Sequence, residues 1–110
     1  MIDETLAKIQ QQLERSSHLP TDKLAELRDL VAQLKTEIAT ISKSDPEQAR
    51  SIAGFTEVSA REATRSQPRP DSVKSAIAGL ESTVRGFEVA NPKLTAVVNR
   101  LAEALSNLGI

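Results

Sequence analysis

The stretch LAELRDLVAQLKTEIATI, residues 24–41, decides the fold. Its large apolar residues recur at alternating steps of three and four, which is the spacing of one face of an α-helix. This stripe comprises Leu24, Leu27, Val31, Leu34, Ile38 and Ile41, and Leu30 widens it. A face wider than a two-stranded seam is typical of a helix that faces a protein core. The stretch therefore predicts one long amphipathic helix that ends near residues 42–44.

A shorter stripe precedes this stretch. Its members recur at steps of four, three and four and are Ile2, Leu6, Ile9 and Leu13. The segment SSHLP at residues 16–20 interrupts the pattern, because small polar side chains compete for backbone hydrogen bonds and proline disfavours helix at the residue before it. Thr21 is the predicted N-cap of the long helix, and Asp22 suits its first turn. Residues 1–44 therefore predict an N-terminal helical hairpin.

The middle segment, residues 45–66, has a weaker helical pattern. Asp45 followed by Pro46 predicts a helix start. The apolar residues beyond it cover too wide an arc for one face, and Gly54 costs about 1 kcal/mol relative to alanine in a helix interior. They are Ala49, Ile52, Ala53, Phe55 and Val58. We predict a helix here; a short strand over residues 52–58 is the alternative, although the chain offers no second strand to pair with it.

The last third of the chain predicts a linker and two further helices. Residues 67–71 form the linker, because closely spaced prolines fix an extended backbone. Asp71 is the predicted cap of a fourth helix, which runs to a break near Ala90. Asn91 followed by Pro92 repeats the cap-then-proline pattern and begins a fifth helix. The two stripes are Val73, Ile77, Leu80, Val84 and Phe87, then Leu94, Val97, Val98, Leu101, Leu105 and Leu108.

The predicted architecture is all-α, with four or five amphipathic helices in one domain, residues 1–110. A helical hairpin near each end, the second formed by the helical pair of residues 72–110, is joined by the middle helix into a small bundle. Gly109 stands where a left-handed C-terminal cap is common. Burial of the stripes and the entropy of ordering the chain nearly cancel. We therefore expect a homodimer in which a second copy covers the long stripes.

The composition excludes several classes of function. The net charge is -1, with 14 basic and 15 acidic residues, so bulk charge favours no nucleic-acid partner. The chain has no cysteine, which excludes thiolate chemistry and a disulfide framework. No stretch approaches the roughly 18 apolar residues that span a bilayer, and the first residues are not those of a signal peptide. We expect a cytoplasmic protein without a membrane partner.

No residue is predicted to be catalytic, cofactor-binding or metal-binding. His18 is the one histidine and lies in a turn, without the second histidine or the Ser-x-x-Lys motif that a catalytic site would add. The carboxylates fall at helical spacings typical of a solvent-facing side, and the four glycines are too dispersed for a phosphate-binding loop. We expect no enzyme, no cofactor, no metal and no small-molecule ligand.

Two blocks of the sequence are similar to a known family. They read SIAGFTEVSAREATR at residues 51–65 and GFEVANPKLTAVVNRLAEALSNLGI at residues 86–110. With the leucine-rich N-terminal hairpin they resemble the bacterial domain-of-unknown-function 4404 family, whose members finish with a Phe-Glu pair, a proline-started helix and a terminal Asn-x-Gly-Ile. The resemblance implies a bacterial, cytoplasmic, helical protein without an assigned activity or catalytic residues. Histidine is common in the family where this chain has Arg61 and Asn91, which favours an interaction role over imidazole chemistry.

The predicted function is a non-enzymatic protein–protein interaction or structural module that self-associates, with an unidentified protein as a further partner. The alternative is a nucleic-acid-associated or regulatory accessory protein that uses the basic stretch Arg61–Lys74. Its charged residues are the cations Arg61, Arg65, Arg69 and Lys74, with Glu62 and Asp71 against them. Scattered cations without aromatic residues between them more often form a solvated face, so this alternative is less favoured than the interaction module.

Overall fold

Five α-helices make up the part of the chain that the structure describes, residues 2–109 of a computed structural model. They are α1 (Ile2–Arg15), α2 (Thr21–Ile41), α3 (Pro46–Ala63), α4 (Pro70–Thr83) and α5 (Pro92–Gly109). The prediction of an all-α fold is confirmed. Residues 52–58 lie inside α3 as continuous helix, so the strand alternative is wrong. Gly109 is the last residue of α5 and not a cap beyond it, because the helix continues through it. Ile110, in the predicted C-terminal motif, lies outside the described residues.

The start of α2 differs from its prediction. The N-cap is Pro20, without a side-chain cap hydrogen bond, and Thr21 is the first helical residue. Pro20 is extended, with φ -58° and ψ 144°, and its carbonyl accepts the N–H of Leu24 at 3.0 Å. The prediction of Thr21 as N-cap is wrong, because the rigid proline already supplies the non-helical residue that precedes the first turn.

The start of α4 also lies before its predicted cap. Arg69 is the N-cap, and Pro70 takes the first helical position, where its fixed φ fits and no N–H is needed. Asp71 is therefore the second helical residue and not the cap. Its carboxylate still lies in the first turn, where the helix dipole favours it. The linker predicted for residues 67–71 accordingly ends at Arg69.

The start of α3 agrees with its prediction. Asp45 is the N-cap, its Oδ1 accepts the N–H of Gln48 at 3.1 Å, and Pro46 is the first helical residue. The side-chain amide of Gln48 donates to the carbonyl oxygen of Thr83, the last residue of α4. One capping turn thus also ties the start of α3 to the end of α4.

The end of α4 lies at Thr83, well before the predicted break near Ala90. Gly86 has φ +92°, in the left-handed region that glycine adopts at low cost and through which a helix does not continue. Val84 is nevertheless buried, and Phe87 packs partly against the core. The stripe therefore predicts the burial of these two side chains correctly, but it does not predict where the helix ends. Side chains on a turn can face the core as well.

The middle helix α3 is the centre of the packing. It contacts each of the other four helices, α4 and α1 most extensively, whereas α1 touches neither α4 nor α5. The arrangement predicted from the sequence, a helical hairpin near each end joined by the middle helix, agrees with the contacts of α1 with α2 and of α4 with α5. The contacts add that both ends of the chain pack around the middle helix.

The buried side chains of α3 explain this position. They are mostly small and comprise Ala49, Ile52, Ala53, Thr56, Ser59, Ala60 and Ala63. Small side chains allow helix axes to approach closely, so one helix can contact several neighbours. The buried hydroxyl of Thr56 donates to the carbonyl of Ile52 at 2.7 Å, which satisfies it within the helix. The hydrophobic pattern of α3 is weak because its core residues are small.

The long stripes are covered within one copy of the chain. Leu34 of α2 and Val98 of α5 are 0% exposed, and the stripes of α1, α2 and α5 share one core cluster. The Cα radius of gyration is 12.9 Å, close to the roughly 13 Å of a compact domain of this length. The sequence-based reason for a dimer, uncovered stripes, is therefore wrong. A contact between two copies would have to use another surface.

Candidate interaction surface

The histidine and carboxylate side chains of the described residues do not gather into a metal site. His18 is exposed in the turn between α1 and α2. Among residues 2–109, no group of three or more histidine, aspartate or glutamate side chains is placed to hold a metal ion. The location of a functional surface must therefore be sought in other features.

The predicted basic stretch is spread over three elements. Its cations are Arg61 in α3, Arg65 and Arg69 in the following loop, and Lys74 in α4. Arg61 Nε and Arg65 Nη2 lie 3.8 and 3.4 Å from Oε2 of Glu62. One carboxylate thus lies between two of the cations and offsets part of their charge. The nucleic-acid alternative stays a prediction.

Two large apolar side chains are exposed next to each other on α3. Phe55 is 43% exposed and Val58 is 36% exposed. They lie three positions apart, so they project from the same side of the helix. Val89 is 95% exposed but stands in the loop between α4 and α5. Single exposed apolar residues are common, whereas a pair on one helix face is a candidate contact surface.

Gly79 of α4 makes room for the ring of Phe55. A Cβ added at Gly79 would lie 2.5 Å from Cε1 and 2.7 Å from Cδ1 of that ring. Neighbouring heavy atoms do not approach so closely, so the ring rests against bare backbone. This contact positions Phe55 at the surface between α3 and α4.

The exposed pair borders a shallow depression on α3. The depression has a volume of about 300 Å³ and is lined by Arg50, Ser51, Gly54, Phe55 and Val58. We call these five residues the α3 patch. A Cβ added at Gly54 would meet no other atom within 4 Å, so the helix surface is open at that point. Gly54 and Val58 are one helical turn apart, which places an open position beside a projecting side chain.

Charged residues flank the α3 patch at both ends of the helix. Glu47 lies before it, next to Arg50, while Arg61, Glu62 and Arg65 lie after it. Glu62 is the least exposed of them, with 13% of its side chain accessible. The two charges farthest from the middle of the α3 patch, Glu47 and Arg65, have opposite signs. Arg50 and Glu62, which lie nearer to the middle on either side, also have opposite signs.

A family model supplies the identification. The model described as a domain of unknown function, DUF4404, matches residues 27–110, well over half of the chain. The chain belongs to this family. The resemblance noted in the sequence is thereby confirmed, and α1 lies outside the match. No curated protein and no solved structure matches the chain.

The sequence pattern of this DUF4404 protein contains one signal of the α3 patch. Phe55 and Val58 belong to an apolar arc that is too wide for a single face. In the structure the arc divides, because Ala49 and Ala53 face the core while Phe55 and Val58 face outward. An arc wider than a core can cover therefore indicates a second contact face. The width of the arc also fits a helix of weak amphipathic character, so the sequence alone does not reveal the second face.

The remaining surface of the described DUF4404 chain carries mixed charges. The groove between α2 and α5 is lined by Glu37, Lys93 and Arg100, among others. A second groove, beside the start of α1, contains Asp3 and Lys43. Mixed charges on exposed helix faces are typical of solvated surface. None of the helices within residues 2–109 has both the length and the apolar character to cross a bilayer.

Proposed function

We propose that this DUF4404 protein is a non-enzymatic protein–protein interaction module that self-associates through the α3 patch. The observation that carries the proposal is the exposure of Phe55 and Val58 side by side on the helix that contacts all four others. One copy of the chain forms a complete core from its long stripes, so Phe55 and Val58 are not exposed because the core is incomplete. Apolar surface of this kind gains stability when a partner covers it.

A second copy of the chain is the partner of the module. Two pairs of charges, Glu47 with Arg65 and Arg50 with Glu62, have opposite signs at equal distances from the middle of the α3 patch, which is the complementarity that a two-fold interface uses. Aromatic residues are common among the residues that dominate interface energies. Phe55 is already positioned by its contact with Gly79, so little side-chain entropy is lost on association.

The test compares two substitutions of the same chemistry. Val58→Asp places a carboxylate in the α3 patch, and Val89→Asp places one in the loop between α4 and α5. Sedimentation at micromolar to high micromolar concentration should show dimers for the native chain and for Val89→Asp. Val58→Asp should weaken dimerisation by about tenfold or more, because association would bury an unpaired charge. Circular dichroism melts check that both variants fold.

Two results would contradict the proposal. A native chain that stays monomeric over the whole concentration range would exclude self-association. A folded Val58→Asp variant that dimerises as tightly as Val89→Asp would show that the contact lies elsewhere on the molecule.

A further inference from the structure

We infer that two copies pair α3 against α3 in antiparallel orientation, centred at residue 56, so that Val58 of each copy lies over Gly54 of the other. This inference rests on the proposed function and specifies the geometry of its interface. It depends on two independent observations, the open position at Gly54 and the order of the charges along α3.

Gly54 of α3 and Gly79 of α4 differ in what occupies the space that each leaves beside its helix. Gly79 leaves the space that the ring of Phe55 occupies. Gly54 leaves a space that nothing in the chain occupies, and its φ is not in the left-handed region. A glycine in the middle of a helix is unfavourable relative to alanine, so Gly54 costs stability without a gain inside the monomer. A side chain from a second copy is the group that would use the space.

The spacing of the α3 patch supplies that side chain. Val58 follows Gly54 by four positions, so both lie on one line along the helix. A two-fold axis midway between them, at the level of Thr56, places each Val58 opposite the Gly54 of the second copy. The projecting valine then enters the open position, in the manner of knobs-into-holes packing.

The same axis pairs opposite charges. Arg50 and Glu62 lie equally far from the centre along the line through Gly54 and Val58, so the antiparallel pair places each at the level of the other, and Glu47 likewise at the level of Arg65. Both ion pairs of Glu62 among the described residues use its Oε2, so Arg50 of the second copy would approach its Oε1. Arg61 faces the neutral Ser51. Each pair occurs twice in the dimer, because the interface is two-fold.

The parallel orientation is disfavoured by the same residues. In a parallel pair with the helices in register, Arg50 would face Arg50 and Glu62 would face Glu62. Like charges placed together across an interface lower affinity and select against that arrangement. Val58 would also face Val58, which leaves Gly54 unfilled. Charge order and shape therefore favour the antiparallel pair together.

Charge-reversal variants test the pairing of Arg50 with Glu62. Arg50→Glu alone and Glu62→Arg alone each create two like-charge contacts, and each should weaken dimerisation about tenfold. An equimolar mixture of the two variants should recover native-like dimerisation as a heterodimer, since every contact across that interface is again of opposite sign. Arg85→Glu, on the exposed turn after α4, is the control and should dimerise like the native chain. A mixture that fails to recover overturns the pairing.

Disulfide trapping tests the orientation without relying on stability. The native chain has no cysteine, so any disulfide that forms must join the introduced cysteines. A mixture of Arg50→Cys and Glu62→Cys chains should form a cross-linked heterodimer under mild oxidation. Arg50→Cys alone should not cross-link, because in the antiparallel pair its two copies lie about 18 Å apart along the helices, at a rise of about 1.5 Å per residue.

The outcomes separate the inference from the function on which it rests. Cross-linking of Arg50→Cys with itself would establish a parallel pair and overturn the inference, while self-association through α3 would stand. Absence of any cross-link in a chain that sedimentation shows to be dimeric would overturn the register. A monomeric native chain would overturn the proposed function before either test applies.

Discussion

Helices α2 and α3 pack into the same core with side chains of different size. The buried residues of α2 are Leu27, Leu30, Val31, Leu34, Ile38 and Ile41, whereas those of α3 are mainly alanine, serine and threonine. Yet α3 contacts all four other helices and α2 does not. The strength of a hydrophobic pattern therefore reports the size of the side chains a helix buries and says little about how central that helix is.

The difference has an energetic meaning. A large side chain stabilises by the apolar area that it removes from water, about 1.5–3 kcal/mol for a fully buried leucine or isoleucine. A small one contributes little area but allows neighbouring backbones and side chains to approach, which increases dispersion contacts over the whole helix. Substitutions that shorten side chains should therefore harm α2, and substitutions that lengthen them should harm α3.

The largest effect is expected from Leu34→Ala in α2. Leu34 is 0% exposed, so the substitution leaves a cavity in the core and should lower the free energy of unfolding by about 2–5 kcal/mol. Lys35→Ala, at the next and exposed position, is the control and should change it by less than about 0.5 kcal/mol. Urea melts followed by circular dichroism measure both. A Leu34→Ala effect no larger than that of the control would mean that this face of α2 is not core.

The reverse substitution is the corresponding test of α3. Ala53 is 1% exposed, and Ala53→Leu should lower the free energy of unfolding by about 1–3 kcal/mol, because the added isopropyl group has to enter a packed core. Ala32→Leu on the exposed side of α2 adds the same atoms without crowding and should be nearly neutral, since leucine and alanine are both good helix formers. Equal melts for the two variants would contradict the close packing of α3.

The sequence predicted the features that depend on large side chains or on local backbone chemistry. The stripes of α2 and α5 and the start of α3 at Asp45–Pro46 belong to this group, since each follows from periodicity or from a cap. It did not predict that α3 is central, because alanines and a buried Thr56 carry little hydrophobic signal. The sequence also did not predict the end of α4 at Thr83, because the stripe continues past the helix onto the turn that contains Gly86.

The candidate surface was less accessible to prediction than the fold. The sequence predicts no catalytic or binding residue, and its periodicity predicts a dimer held together by the long stripes. The exposure of Phe55 depends on Gly79, which lies far along the chain and permits the ring to rest on α4. Single-chain periodicity does not report such a contact between two helices. Only the excessive width of the apolar arc in α3 pointed toward it.

Substitutions at the first turns of α2 and α3 should have a smaller effect on the free energy of unfolding. Asp45 caps α3 through a hydrogen bond to the N–H of Gln48, so Asp45→Ala should lower the free energy of unfolding by about 0.5–2 kcal/mol. Asp22 lies in the first turn of α2, where no side-chain cap bond exists, so Asp22→Ala loses only its interaction with the helix dipole, worth about 0.3–1 kcal/mol. Thermal and urea melts at low ionic strength should rank Asp45→Ala as the more harmful. The opposite rank would mean that the α3 cap contributes less than its geometry indicates.

The smallest expected effect is a gain in the free energy of unfolding, and it distinguishes Gly54 of α3 from Gly79 of α4. Gly54→Ala should raise the free energy of unfolding of the dilute monomer by about 0.4–1 kcal/mol, because the added methyl group meets no neighbour and restricts the unfolded chain. Gly79→Ala has the same intrinsic advantage, but its methyl group would meet the ring of Phe55 and displace it, so the gain should vanish or reverse. Urea melts below the dimerisation range measure both variants. Since alanine partly fills the space that Val58 of a second copy would enter, Gly54→Ala should also dimerise more weakly than the native chain. A position at which one methyl group stabilises the monomer and weakens the dimer serves contact with another molecule, whereas a loss of monomer stability on Gly54→Ala would place its role inside the chain.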